Sequence, residues 1–214
     1  SEFLTKSLDS AQERVEERAY QQRQNLFAYD DVLNKQRNIV YHERRQILER
    51  VLIQKNIFAY VEQIITEILL EFKEEKSYNK QVILLIENLF GKNLTLNHIK
   101  DLDSFVNDFD LSELKLYLFN EFWLTYQSKI TELSVYGDGI IENLERSIIL
   151  INTDRIWREH LQKMTLLREA VGWRGYGQRN PLYEYKQDAF YMFETRKEVL
   201  RHLVIYDLLR SSIL

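Results

Sequence analysis

The residues able to do chemistry in this chain are few and poorly spaced for it. Gly91-Lys92-Asn93 has the form of the end of a phosphate loop. The upstream glycine such a loop needs is missing, and Asn93 stands where a Ser or Thr would hold magnesium. The four histidines, His42, His98, His160 and His202, form no His-x-x-x-His pair. Glu198 with His202 is an isolated acid–imidazole couple, not half of a di-iron set. Structural or surface roles suit these side chains better than metal binding. Asp30 and Asp31 are adjacent, so on a helix they point about 100° apart and do not converge as a catalytic pair. The absence of cysteine excludes disulfides and thiolate metal sites, and it fits a reducing compartment. No complete active site, metal site or cofactor site is expected in this segment.

The densest group of unusual residues is Trp173-Arg174-Gly175-Tyr176-Gly177-Gln178-Arg179-Asn180-Pro181. Gly172, Gly175 and Gly177 are three of six glycines, and Pro181 is the only proline. Glycine permits the positive φ that ends a helix, proline suits the first turn of the next, and Asn180 can cap it. Apolar residues recur at helical spacing before the group (Ile148, Trp157, Leu161, Met164, Leu167) and after it (Tyr185, Ala189, Met192, Phe193, Leu200, Leu203). The pattern predicts two antiparallel helices with Trp173, Arg174, Tyr176 and Arg179 at the tip. A tip that is merely solvated, or aromatics folded back onto the hairpin, would give the same pattern.

The first segment reads as one long helix from about Thr5 to about Leu52, without Gly or Pro. Its apolar stripe runs through Leu8, Ala11, Val15, Ala19, Leu26, Tyr29, Leu33, Val40, Ile47 and Val51. At 1.5 Å per residue it spans roughly 70 Å, longer than a small domain is wide. The stripe turns polar at Gln22, Gln36 and Arg37. A coiled coil would keep its core positions cleaner, so a helix lying against several other domains fits better. Further helices are expected at Lys55–Lys73, at Lys80–Leu89 closed by Gly91, near Asn97–Leu102, and over residues 111–133. Residues 101–110 form a polar connection with hydrophobic anchors, and Gly137-Asp138-Gly139 marks the next boundary, where Asp138 could begin a helix that continues through Glu142 and Arg146, a favourable i,i+4 pair.

Composition supports an all-α chain, since six glycines and one proline in 214 residues supply too few turns for a sandwich or barrel. Charge divides it in three. Residues 1–51 carry nine Lys+Arg and nine Asp+Glu; residues 52–136 carry eight lysines, no arginine and thirteen acids; residues 137–214 carry twelve basic and eleven acidic residues. That shift suggests a middle module inserted between two segments that belong together. A net charge of −4 and a pI of about 5.7 argue against a nucleic-acid binder. No apolar run approaches the roughly 18 residues of a membrane span. The first residues, Ser-Glu-Phe-Leu-Thr-Lys, have no secretory leader pattern, and the missing initiator Met suggests a fragment.

Three motifs resemble the SecA family of protein-export motor ATPases. Tyr29-Asp30-Asp31-Val32-Leu33-Asn34-Lys35-Gln36-Arg37, after the lead-in Ala11-Gln12-Glu13-Arg14-Val15-Glu16, is similar to the family's scaffold helix. Trp157-Arg158-Glu159-His160-Leu161 with Met164, Leu167 and Arg168 is the second match. Arg174-Gly175-Tyr176-Gly177-Gln178 with Pro181, Glu184-Tyr185-Lys186, Phe190 and Met192-Phe193 is the third. They come in the family's order, over residues 5–50 and 140–210; over the middle module the likeness rests on position and helical character.

The resemblance implies a layout. Residues 1–51 would be the long scaffold helix, residues 52–136 a helical wing, and residues 137–214 a two-helix finger with the remaining scaffold. Trp173, Arg174, Tyr176, Gln178 and Arg179 would meet the translocating preprotein and the SecY/SecE channel. Trp173 and Gly177 depart from the family's usual aliphatic residue and alanine, which touches the rigidity of the tip. Tyr29, Asp30, Asp31, Gln36 and Arg37 would contact the protein's own motor domains. ATP and magnesium would bind in those motor domains, whose phosphate loop and DEAD-type acidic motif are not in this segment. The resemblance also implies peripheral contact with the plasma or thylakoid membrane from the cytoplasm or chloroplast stroma, and it allows a homodimer. Frequent Ile, Asn, Lys and Tyr fit an AT-rich genome and an algal plastid source. A helical adaptor or coiled-coil scaffold without a motor is the competing class.

Overall fold

Apolar residues three and four apart make the helices of this chain, and the same residues fill its cores. The computed structural model describes residues 2–49, 53–74, 111–137, 139–174 and 180–211. Among them run α1 (Glu2–Leu48), α2 (Ile53–Glu74), α3 (Leu111–Ser134), α4 (Ile140–Arg174) and α5 (Pro181–Arg210), and no strand. The chain is all-α. The expected helices at 80–89 and 97–102 and the connection after Asp101 lie outside the described residues.

Two compact units divide the contacts: Ser1–His42 with Trp157–Thr195, and Glu43–Ile156 with Arg196–Leu214. Stretches of α1, α4 and α5 contribute to each. This grouping by contact is a different partition from the division by charge at residues 51 and 136.

In the second unit, Ile57, Val61, Ile64, Ile65 and Ile68 of α2 meet Leu114, Leu118, Phe122 and Tyr126 of α3. Ile148, Ile149 and Ile156 of α4 and Leu200, Val204, Ile205 and Leu208 of α5 complete one continuous core. Burying each such side chain contributes about 1.5–3 kcal/mol. Phe58 adds an aromatic cluster, with ring centroids 6.3, 6.0, 5.6 and 5.6 Å from Phe119, Phe122, Trp123 and Tyr126. Polar groups tie its helices together: Asn152 donates to Asp207 at 2.8 Å, and Arg44 makes a two-pronged pair with Asp154 at 2.9 and 3.3 Å. Arg201 also bonds Glu67.

In the first unit the apolar contacts are smaller. Met164, Leu167 and Val171 of α4 meet Tyr185 and Ala189 of α5, with Tyr29, Val32 and Leu33 of α1 against them. Val40, Trp157 and Phe193 form a second patch.

The helix limits differ from the sequence expectation in two instructive places. Gly172 does not end α4, which continues through it to Arg174. Among the described residues the glycines held at positive φ are Gly137 (133°) and Gly139 (76°), between α3 and α4, where a side chain would strain the backbone. α1 ends at Leu48 rather than Leu52.

Candidate functional site

The described parts of the sequence motifs meet in the first unit, where α1, α4 and α5 present one residue after another at helical spacing. Tyr29, Leu33, Gln36 and Val40 lie along one face of α1; Trp157, His160, Met164, Leu167 and Val171 along one face of α4; Tyr185, Ala189 and Phe193 along one face of α5. All are buried or half-buried.

The centre of this arrangement is polar. Gln36 is buried, and its amide nitrogen donates to the carbonyl of Ala189 at 3.0 Å. Its oxygen therefore faces His160, whose Nε2 lies 2.8 Å away and carries the donated proton. His160 is only 2% exposed, so this partner is what makes its burial tolerable. Its ring stacks on Trp157 (centroids 5.5 Å apart) and meets Phe193 edge-on at 5.7 Å. One side chain thus fixes the register of α1 against both α4 and α5.

Two helical turns towards the start of α1, Tyr29 packs edge-on against Tyr185, with centroids 4.8 Å apart. The Arg168 guanidinium lies over the Tyr29 ring at 5.6 Å and pairs with Asp30 at 3.2 Å. Burial pushes the Tyr185 hydroxyl above its ordinary pKa; Arg168 opposes that, while Asp30 and Tyr29 reinforce it. The Asp30–Arg168 pair is itself half exposed, so it contributes little beyond orientation.

The remaining expected contact residues point elsewhere. Asp31 pairs with Lys35 at 2.7 Å on its own helix, and Arg37 donates to Asn34 at 3.0 Å. The two adjacent aspartates therefore serve different cations and form no catalytic pair. Of the five α1 residues, Tyr29, Asp30 and Gln36 meet α4 or α5, while the half-buried Asp31 and Arg37 pair along α1 itself.

At the hairpin, Asn180 caps α5 as its position suggests: its Oδ1 accepts from the amides of Leu182 at 3.0 Å and Tyr183 at 3.3 Å. Glu184 adds an acid to the first turn, where the helix dipole favours it. Trp173 is 76% exposed at the end of α4. Tyr176, Gln178 and Arg179, and the side chain of Arg174, lie outside the described residues.

Sequence reasoning missed His160, Arg168, Tyr185 and Ala189 as the partners of the α1 motif. The available signal was the polar residue in an apolar stripe, since a buried amide demands a partner. Among the described residues no group of three or more His, Asp or Glu side chains could hold a metal ion, and no helix is long and apolar enough to cross a membrane. The arrangement orients α1 against α4 and α5.

Over residues 1–212 the chain matches the family model of the SecA Wing and Scaffold domain. The chain belongs to the SecA family. It is similar to the protein translocase subunit SecA of Phaeodactylum tricornutum, with 83% identity over 214 residues covering all of this chain and 24% of that protein. The SecA subunits of Trieres chinensis and of Gracilaria tenuistipitata var. liui are 56% and 38% identical, over 100% and 99% of the chain. The chain spans 24% of the length of each of these relatives. The SecA resemblance carried by the three motifs thus extends across residues 52–136, where the motifs themselves are silent.

Proposed function

We propose that this chain is the scaffold, wing and two-helix finger portion of a SecA-type protein translocase. In this reading residues 1–51 are scaffold, 52–136 wing, and 137–214 finger and remaining scaffold. The match over the whole chain to proteins named protein translocase subunit SecA carries the reading. ATP and magnesium act in the protein's motor domains, and the helices here convert that cycle into movement of an unfolded preprotein through a SecY/SecE channel.

Each part has a physical basis. The first half of α1 offers a stripe for the motor domains, with Leu8, Val15 and Leu26 exposed, and Asp31 and Arg37 extend that surface with charge. Tyr29, Asp30 and Gln36 act behind it, setting the angle at which α1 leaves α4 and α5. The hairpin presents exposed Trp173 and, beside it in sequence, Arg174, Tyr176, Gln178 and Arg179 for the preprotein and the channel mouth. Relatives from diatoms and red algae favour a plastid setting, with the protein in the stroma and peripheral at the thylakoid membrane.

The test is Tyr176→Ala in the full-length protein. ATP-coupled translocation into channel-containing vesicles should fall severalfold, while ATPase activity in the absence of channel stays within twofold. Arg37→Glu should instead change the channel-free ATPase rate. If neither variant moves either rate, the chain acts as a helical adaptor and the translocase assignment of its surfaces is lost.

A further inference from the structure

Glu145 is a carboxyl that nothing in the proposed function uses. It lies on α4 within the second unit, 1% exposed. Its Oε1 accepts the Tyr126 hydroxyl of α3 at 2.5 Å, and its Oε2 has no hydrogen-bond partner among the described residues. Tyr126 is equally buried, and Gln54 of α2 acts on it electrostatically, opposing the rise of its pKa. Two helices, α3 and α4, therefore meet at one acid.

Among the described residues no cation is hydrogen-bonded to this carboxyl. The groups acting on the Glu145 charge among the described residues are Tyr126 from α3 and Glu142 from the preceding turn of α4. Gln54, which approaches Tyr126 from α2, is neutral. Lys129, one turn beyond Tyr126 on α3, is turned to Glu132 at 3.3 Å. An ionised carboxylate in this position would be a buried charge with no cation bonded to it among the described residues, which disfavours the charged form. The neutral acid avoids that cost and keeps its bond to tyrosine.

We propose that a proton held by Glu145 latches α3 onto α4, and that rising pH releases the latch. Burial holds this carboxyl above its ordinary value of 4.5; the Tyr126 hydroxyl opposes the shift and Glu142 adds to it. A raised carboxyl favours the closed state fully below 4.5, where open and closed forms both hold the proton. The advantage is lost as pH rises through the closed-state value, at about tenfold in the opening equilibrium per pH unit. The element released is α3, together with α2 packed against it.

Hydrogen exchange followed by mass spectrometry on the full-length protein tests this, with α3 and α4 peptides corrected for the intrinsic pH dependence of exchange. The expected result is protection that falls about tenfold per pH unit over a defined window and then levels. Glu145→Gln should remove the fall. Tyr126→Phe should move the window to higher pH, because it removes a donor to the charged form. Glu142→Gln should move it to lower pH, because it removes a repelling charge. A flat profile in the parent, a fall that persists in Glu145→Gln, or shifts of the wrong sign would overturn the latch. Should Glu145→Gln fail to fold, the opposite shifts of the other two variants decide alone.

Discussion

The two units of this chain are built on opposite plans. The second is an apolar body: α2 and α3 interdigitate isoleucines and aromatics with α4 and α5, and ion pairs such as Arg44–Asp154 join its helices at the margin. The first has two small apolar patches and places its polar contact in the middle, where Gln36 joins His160 to Ala189. It also leaves the α1 residues 6–18 and 20–27 exposed. Apolar burial is large and indifferent to direction; a buried amide contributes less but accepts one geometry. One unit is thus made to be stable and the other to hold a set of helix directions.

That contrast can be broken most violently in the apolar unit. Phe122→Ala removes a ring from the centre of the second core and should cost about 3–5 kcal/mol, read as a lower urea midpoint by circular dichroism. A loss under ~1 kcal/mol would mean that this core is loosely packed. In the polar unit, Gln36→Leu should cost about 1–3 kcal/mol, because it strands the His160 donor in an apolar setting. The double variant Gln36→Leu with His160→Leu should recover much of that loss, since no donor is left stranded. Recovery of stability together with lost motor regulation would separate direction-setting from stability. Asn180→Ala should cost about 1 kcal/mol through the lost cap of α5. Asp30→Asn, which weakens a half-exposed ion pair, should cost only about 0.2–1 kcal/mol and less still in high salt.

Local features were the legible ones. The stripe of α1, the Asn180-Pro181 start of α5 and the all-α class follow from spacing and capping, which act within a few residues. Gly172 lies inside α4, because glycine's freedom does not oblige it to stop a helix. The partners of Tyr29 and Gln36 were not legible, since Arg168, Tyr185 and Ala189 lie far along the chain and only the fold brings them near. Asp31 and Arg37 keep to partners on their own helix, which spacing allowed but did not require.

The exposed first half of α1 has a practical consequence. A lone helical stretch of that length in water is marginal, because only its own backbone bonds hold it. Arg14, Arg18 and Arg23 therefore stand on a segment that a protease can open and cut, whereas Lys35 and Arg37 follow the Tyr29 clamp. Trypsin should shorten the chain to a fragment beginning near that clamp and then slow. Whatever seats itself along the stripe will suppress those cuts, so the digestion pattern becomes a built-in gauge of occupancy.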